Sequence, residues 1–233
     1  MSEVNKIARF VGIEACNSIF SEKSTFVLRS LEHYIRLYET DGGASGKGDR
    51  DEGCSDTTDN KKVVGNTDFV ISCWTILDQN KPTSDEWGIF KKNNQNIVAI
   101  VSTPSKVCKF LEEKLETDKE CSPFRRPVKH DKVKYGEPIA PSRIIDDGPF
   151  QKKLRFTNQK EYRFVLKSWS PHLIDSLIFC GGIDYMEQCF VNPTMCKEQK
   201  EKLQDIIQKA GVYYGDFHGK QPCDIIANVD VLF

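Results

Sequence analysis

The chain carries no charge imbalance. Its 33 lysines and arginines stand against 34 acidic residues in 233, a formal net charge of -1. No bulk field therefore draws it to phosphate backbones or to anionic lipid, and a nucleic-acid partner would have to use a local patch. It has no apolar run near the 18 or so residues that suggest a membrane span, so membrane insertion is not expected. Met1 to Val11 mixes charged residues with a short apolar stretch and lacks the apolar core of a secretory signal, which makes a cytoplasmic protein the expectation. His33, His130, His172 and His218 show no H-E-x-x-H or similar spacing, and we expect no metal. The nine cysteines are odd in number and contain no C-x-x-C pair, which argues against both a disulfide framework and a structural zinc site. Cys73 and Cys180 lie in apolar stretches and are expected as reduced, buried thiols. Internal repeats are absent.

What is present is globular material: 39% hydrophobic and 29% charged residues are enough to build a core and to keep it soluble. The length suits one domain, residues 1–233, with a flexible inserted loop at about 41–62. That stretch is rich in Gly, Ser, Asp and Thr and cannot bury enough surface to offset its ordering entropy. Within it, Gly43 to Gly48 departs from a P-loop, since Asp41 stands where the first glycine belongs and Gly48 where Ser or Thr belongs.

Hydrophobic periodicity supplies the elements. Ile7 to Val11 reads as a strand, Gly12 to Lys23 as a helix, Thr25 to Leu28 as a strand and Leu31 to about Glu39 as a helix. Asp68 to Leu77 is nearly continuous in apolar character, as a strand covered on both faces would be. Thr83 and Glu86 have the spacing of a capping box, so a helix bearing Trp87 and Phe90 starts there. Asn96 to Ser102 is a strand, and Ser105 opens a helix with the stripe Val107, Cys108, Leu111, Leu115. Val128 to Tyr135 alternates like a half-exposed strand. A strand runs from Glu161 to Leu166, and two later strands surround Phe190 and Tyr213 with a helix from Thr194 to Ala210 between them. Strands that do not alternate regularly with helices favour an α+β fold over a doubly wound sheet.

Three landmarks fall in order: Ser72-Cys73-Trp74-Thr75 on a strand, Trp87 on the capped helix, and Lys152 to Phe156 followed by Lys160-Glu161-Tyr162-Arg163-Phe164. This order resembles a family of bacterial domains of unknown function, found among mobile and phage-defence genes, whose members carry a Ser-Cys-Trp-Thr-like strand, a helical Trp and a Glu-x-Arg strand. The resemblance spans about Ile7 to Leu166. Ala8-Arg9-Phe10 and Leu37-Tyr38-Glu39 stand where such domains begin, a start similar to that of ADP-ribosyltransferases. That resemblance implies a mixed, mainly antiparallel split β-sheet with flanking helices, and NAD as the nucleotide ligand. It implies Arg9, Ser72, Thr75, Trp87 and Arg163 as cofactor-binding candidates and Glu161 as the catalytic one. The chain departs from the best-known pattern in having Cys73-Trp74 inside the second-strand motif and Gln159, not an acid, two residues before Glu161.

Each of these residues has a plainer reading beside the functional one. Glu161 stabilises a ribose on which positive charge develops, or it pairs with Lys160 or Arg163. Arg9 forks a pyrophosphate, or it is a surface arginine. Trp74 and Trp87 stack on a ring, or fill a core. Ser72 and Thr75 differ in parity and face opposite sides of a strand unless a bulge intervenes. Two rivals to a transferase stand: a non-catalytic ligand-sensing or interaction module of the same fold, and a nucleic-acid-binding effector. The latter would use Arg125-Arg126 to Lys134 and Lys152-Lys153-Leu154-Arg155, interleaved with Phe124, Tyr135 and Phe156. The target of a transferase would be a protein or a nucleic acid.

Overall fold

The computed structural model describes residues 4–21, 24–31, 33, 34, 36, 69–90, 96–118, 124, 126–136, 148–168, 176–181 and 183–214. The loop expected at about 41–62 and the glycine-rich Gly43 to Gly48 within it lie outside these residues, as does most of the helix expected to end near Glu39. The elements in chain order are β1 (Lys6–Gly12), α1 (Ile13–Ile19), β2 (Phe26–Ser30), β3 (Phe69–Leu77), α2 (Ser84–Phe90), β4 (Ile97–Ser102) and α3 (Pro104–Thr117). There follow β5 (Lys129–Lys132), β6 (Lys134–Tyr135), β7 (Gln151–Lys152), β8 (Glu161–Lys167), β9 (Ser176–Phe179), β10 (Gln188–Val191) and α4 (Lys197–Tyr214). Single 3-10 turns at Gly148–Phe150 and Leu154–Gln159 bracket β7. The fold is α+β, with mainly antiparallel strand pairing and flanking helices. Among the described residues, no helix is long and apolar enough to cross a membrane.

The chain forms two compact units. In the first, Met1–Phe26, Ile76–Phe110 and Ile178–Phe233, β4 lies between β1 and β10 and pairs antiparallel with both, Arg9 opposite Ile100 and Phe190 opposite Ala99. β4 is buried along its whole length, as a continuous run of Ile, Val and Ala requires. Its core holds Ala8, Leu77, Trp87, Ile97, Ala99 and Val101, with Phe10 stacked on Phe90 at 4.3 Å and edge-on to Trp87 at 5.2 Å. The helix starts where the Thr83–Glu86 spacing predicts, with half of the capping box formed: Glu86 accepts the backbone N–H of Thr83 at 2.7 Å, and the Thr83 hydroxyl donates to the same carboxylate oxygen. Glu187 is clamped by Lys6 and Lys106, the latter at 2.8 Å. Burial alone would raise its carboxyl, but the hydrogen bonds from Lys106 and Lys6, with their charges, outweigh that and hold it low.

In the second unit, Val27–Thr75 and Leu111–Leu177, β3 pairs antiparallel with β8, and β8 with β5 on its other edge. The β3–β8 register runs one to one from Phe69 opposite Lys167 to Thr75 opposite Glu161, without a bulge. One face of this pair builds a core of Leu31, Phe69, Ile71, Phe150 and Val165, with Tyr34 and Cys73 against it. The other face carries Trp74, Tyr162 and Phe164, where Trp74 meets Phe164 edge-on at 6.3 Å and Tyr162 lies 5.6 Å from Phe164. Both faces of β3 are covered, as its composition foretold.

Three expectations need correction. Tyr213 lies in a helix, not a strand: α4 runs on through Gly211, because a glycine costs a helix interior only about 1 kcal/mol and so does not by itself stop one. Val128 to Tyr135 is not one strand, since Val133 turns inward, gives its N–H to the Glu161 carbonyl at 2.8 Å, and separates β5 from β6. Cys180 is exposed, beyond the end of β9 and next to Gly181, which has φ of 79°.

Candidate functional site

Glu161 opens β8, and residues 161, 163 and 165 share one face because side chains alternate along a strand. Opposite them on β3 stand Thr75, Cys73 and Ile71. The strand therefore aims Glu161 and Arg163 at the same side as Cys73 and Thr75. This region is buried: Glu161 is 5% exposed and Arg163 0%.

A carboxylate at that depth must be paired or lose its charge. Arg163 supplies the first partner, its Nε donating to Glu161 Oε1 at 2.6 Å while its Nη1 donates to the carbonyl of Pro149 at 2.6 Å. Lys152 supplies the second, its Nζ donating to Glu161 Oε2 at 3.0 Å and to Gln159 Oε1 at 3.0 Å. The Lys152 ammonium also lies 4.8 Å from the centre of the Phe156 ring, a cation–π distance. Cys73 adds a side-chain hydrogen bond to Glu161. Burial by itself would raise the Glu161 carboxyl, but the Arg163 and Lys152 charges and the hydrogen bonds from Arg163 and Cys73 outweigh it. The group is held well below the usual carboxylate range.

The backbone of Glu161 is fixed as well. Its N–H donates to Tyr135 Oη at 2.7 Å. β6 and β7 form a short parallel pair in which Tyr135 stands opposite Lys152, so one small ladder presents two of the groups that hold Glu161. Burial pushes the Tyr135 phenol up to about 12, with the nearby Glu161 charge adding to it against the N–H bond and the charges of Lys152 and Arg163. Between β7 and β8 the chain makes the Leu154–Gln159 turn and reverses through Lys160, which adopts the left-handed conformation at φ 45° and ψ 48°. A non-glycine residue is uncommon there.

The sequence-derived candidates divide between the two units. Thr75, Glu161 and Arg163 share one face of β3–β8. Ser72 belongs to the opposite face, as its parity requires, and its Oγ accepts the Trp74 indole N–H at 3.0 Å. Arg9 lies in the first unit with its guanidinium 5.3 Å from the Phe26 ring. Trp87, 7% exposed, is part of that unit's core. Glu161 pairs with Arg163, one of its two expected ion-pair partners, but takes Lys152 in place of Lys160. Reading the sequence missed Cys73, Tyr135, Gln159 and Lys152 as contacts of this site. Gln159 alone carried a signal, because it occupies the position where a second acid was sought. Among the described residues, no group of three His, Cys, Asp or Glu side chains could hold a metal ion.

No protein-family model matches the chain, and no curated protein matches it. Two solved structures resemble it. One is DarT of Thermus sp. 2.9 in complex with carba-NAD+, 12% identical, covering 90% of this chain and 92% of that one, with a TM-score of 0.38. The other is the same protein in complex with ADP-ribosylated ssDNA, 12% identical, covering 89% of each chain, with a TM-score of 0.39. Likeness this distant gives no residue a role.

Proposed function

We propose that the chain acts on NAD, as an ADP-ribosyltransferase or NAD glycohydrolase of the toxin or phage-defence kind, with Glu161 as the catalytic group. One observation carries the reading: a carboxylate that is 5% exposed is held ionised and fixed through both oxygens by two buried cations, directly across the ladder from Thr75. As nicotinamide leaves, positive charge develops on the ribose, and a preorganised carboxylate stabilises that charge at no cost in reorganisation. A carboxylate offers about four lone-pair sites. Arg163, Lys152 and Cys73 act on this carboxylate, and a ribose hydroxyl would have to donate to it beside them. In this reading Arg163 orients Glu161, and Thr75 offers a hydroxyl beside it.

NAD consumption by the purified protein, with and without cell extract as acceptor, tests this. The Glu161→Gln variant, shown by circular dichroism to be folded, should lose roughly a hundredfold to a thousandfold in rate, as when one preorganised group is removed from an active site. If the wild type neither binds nor consumes NAD, the proposal fails. Binding without turnover would make it a ligand-sensing module instead.

A second reading has its own observation. From Phe124 to Ser168 the sequence carries twelve lysines and arginines against five acids, two of the bases, Lys152 and Arg163, being committed to Glu161. Arg155 lies 4.8 Å from the Phe156 ring beside Leu154, which is 62% exposed. Basic groups interleaved with aromatics fit a single nucleic-acid strand.

A further inference from the structure

We propose that Lys152 is a positioning residue of this site: its ammonium ties the Glu161 carboxylate to the Leu154–Gln159 turn and thereby fixes where that carboxylate stands. The inference rests on the reading of Glu161 as the group that meets the ribose. The two cations on Glu161 are not equivalent. Arg163 lies two residues along the same strand and would grip Oε1 whatever the preceding turn did. Lys152 comes from β7, across the turn, and its one Nζ spans Glu161 Oε2 and Gln159 Oε1 at 3.0 Å each. Its side chain is 7% exposed, so the ammonium is largely withdrawn from solvent, with these partners and the Phe156 ring beside it. The Tyr135–Lys152 pairing places this ammonium on the same ladder as the hydroxyl that accepts the Glu161 N–H. Main chain and side chain of Glu161 are therefore both referenced to β6–β7. Without Lys152, Oε2 loses this cation, and the carboxylate is freer to pivot about Oε1.

The titratable and charged groups facing Glu161 are Arg163 on β8, Lys152 on β7, Cys73 on β3 and Tyr135 on β6. Removing the Lys152 charge leaves burial opposed mainly by Arg163, so the Glu161 carboxyl should titrate higher. The test uses the full chain with carboxyl-13C-labelled glutamate, titrated by NMR, and pH profiles of NAD consumption for the same proteins. Wild-type Glu161 should stay ionised through the acid range in which the fold persists. In Lys152→Met and in the more polar Lys152→Gln its titration midpoint should rise by about one unit or more, as expected for losing an opposite charge at this distance. The acid limb of the activity profile should move up with it, and Lys152→Arg should restore both. A structural role alone would lower stability without moving the limb. The proposal is overturned if Glu161 in folded Lys152→Gln titrates as in wild type, or if Lys152→Arg shifts as far as Lys152→Gln. A wild type without NAD turnover would sink the enzymatic reading, while the labelled carboxyl would still decide what Lys152 does to Glu161.

Discussion

The Glu161–Arg163 pair is costly to break from one side, because removing Arg163 leaves the buried Glu161 charge with Lys152 alone, and removing Glu161 strands two buried cations. Arg163→Met should lower the unfolding free energy by about 3–5 kcal/mol, read from the shift in urea midpoint. The same pair sets an acid limit. The folded Glu161 carboxyl lies below its ordinary 4.5, so its contribution to stability is complete above that value and is lost as pH falls toward the folded one. Glu161→Gln should therefore show a shallower loss of stability below about 4.5 than the wild type in acid unfolding. Tyr135 sets the corresponding alkaline limit. Its phenol is raised from 10.0 to about 12, so its neutral form favours folding fully below 10 and that contribution drains away between 10 and 12. Tyr135→Phe should remove this component from the alkaline unfolding profile, with a lower baseline because the Glu161 N–H loses its acceptor.

Among the elements, α2 depends on its cap. Thr83→Ala removes the hydroxyl that donates to the Glu86 carboxylate and should cost about 1 kcal/mol in thermal or urea unfolding, the typical net worth of one hydrogen bond. This cap was legible because a capping box is local: both residues and their backbone partner lie within four positions. β3 was legible for a similar reason, since a nine-residue run that is apolar or β-branched at every position but Ser72 admits few other fates. The Glu161–Arg163 side of the site was likewise readable from parity along one strand. Lys152 was not, because it reaches Glu161 only through a parallel β6–β7 pair and a 3-10 turn, and neither leaves a periodic signal. Cys73 was hidden for a different reason: a thiol in an apolar run reads as a small hydrophobe, and only the register opposite Arg163 shows that it meets a carboxylate. The α4 boundary failed at Gly211, where a glycine that usually ends helices sits inside one.

Across the whole molecule, the near-zero net charge conceals the basic stretch from Phe124 to Ser168. If that stretch binds a single nucleic-acid strand, affinity for a labelled oligonucleotide should fall steeply between about 50 and 200 mM salt, and Arg155→Ala together with Lys153→Ala should flatten the slope. A salt-independent or absent signal would mean a solvated face. The pairing of β3 with β8 bears as well on what the gene can tolerate. From Phe69 to Thr75 the odd-numbered residues of β3 line the face of the apolar core and, at Cys73 and Thr75, of the buried ion pair, and the even-numbered ones the aromatic side. Loss of one codon between Phe69 and Ser72 would exchange those allegiances for every residue on one side of the lesion, presenting an indole to a carboxylate or a hydroxyl to a ring. In a library of single-codon deletions, this strand should be among the places where survivors are rarest, whereas substitutions that keep the reading of the two sides should pass.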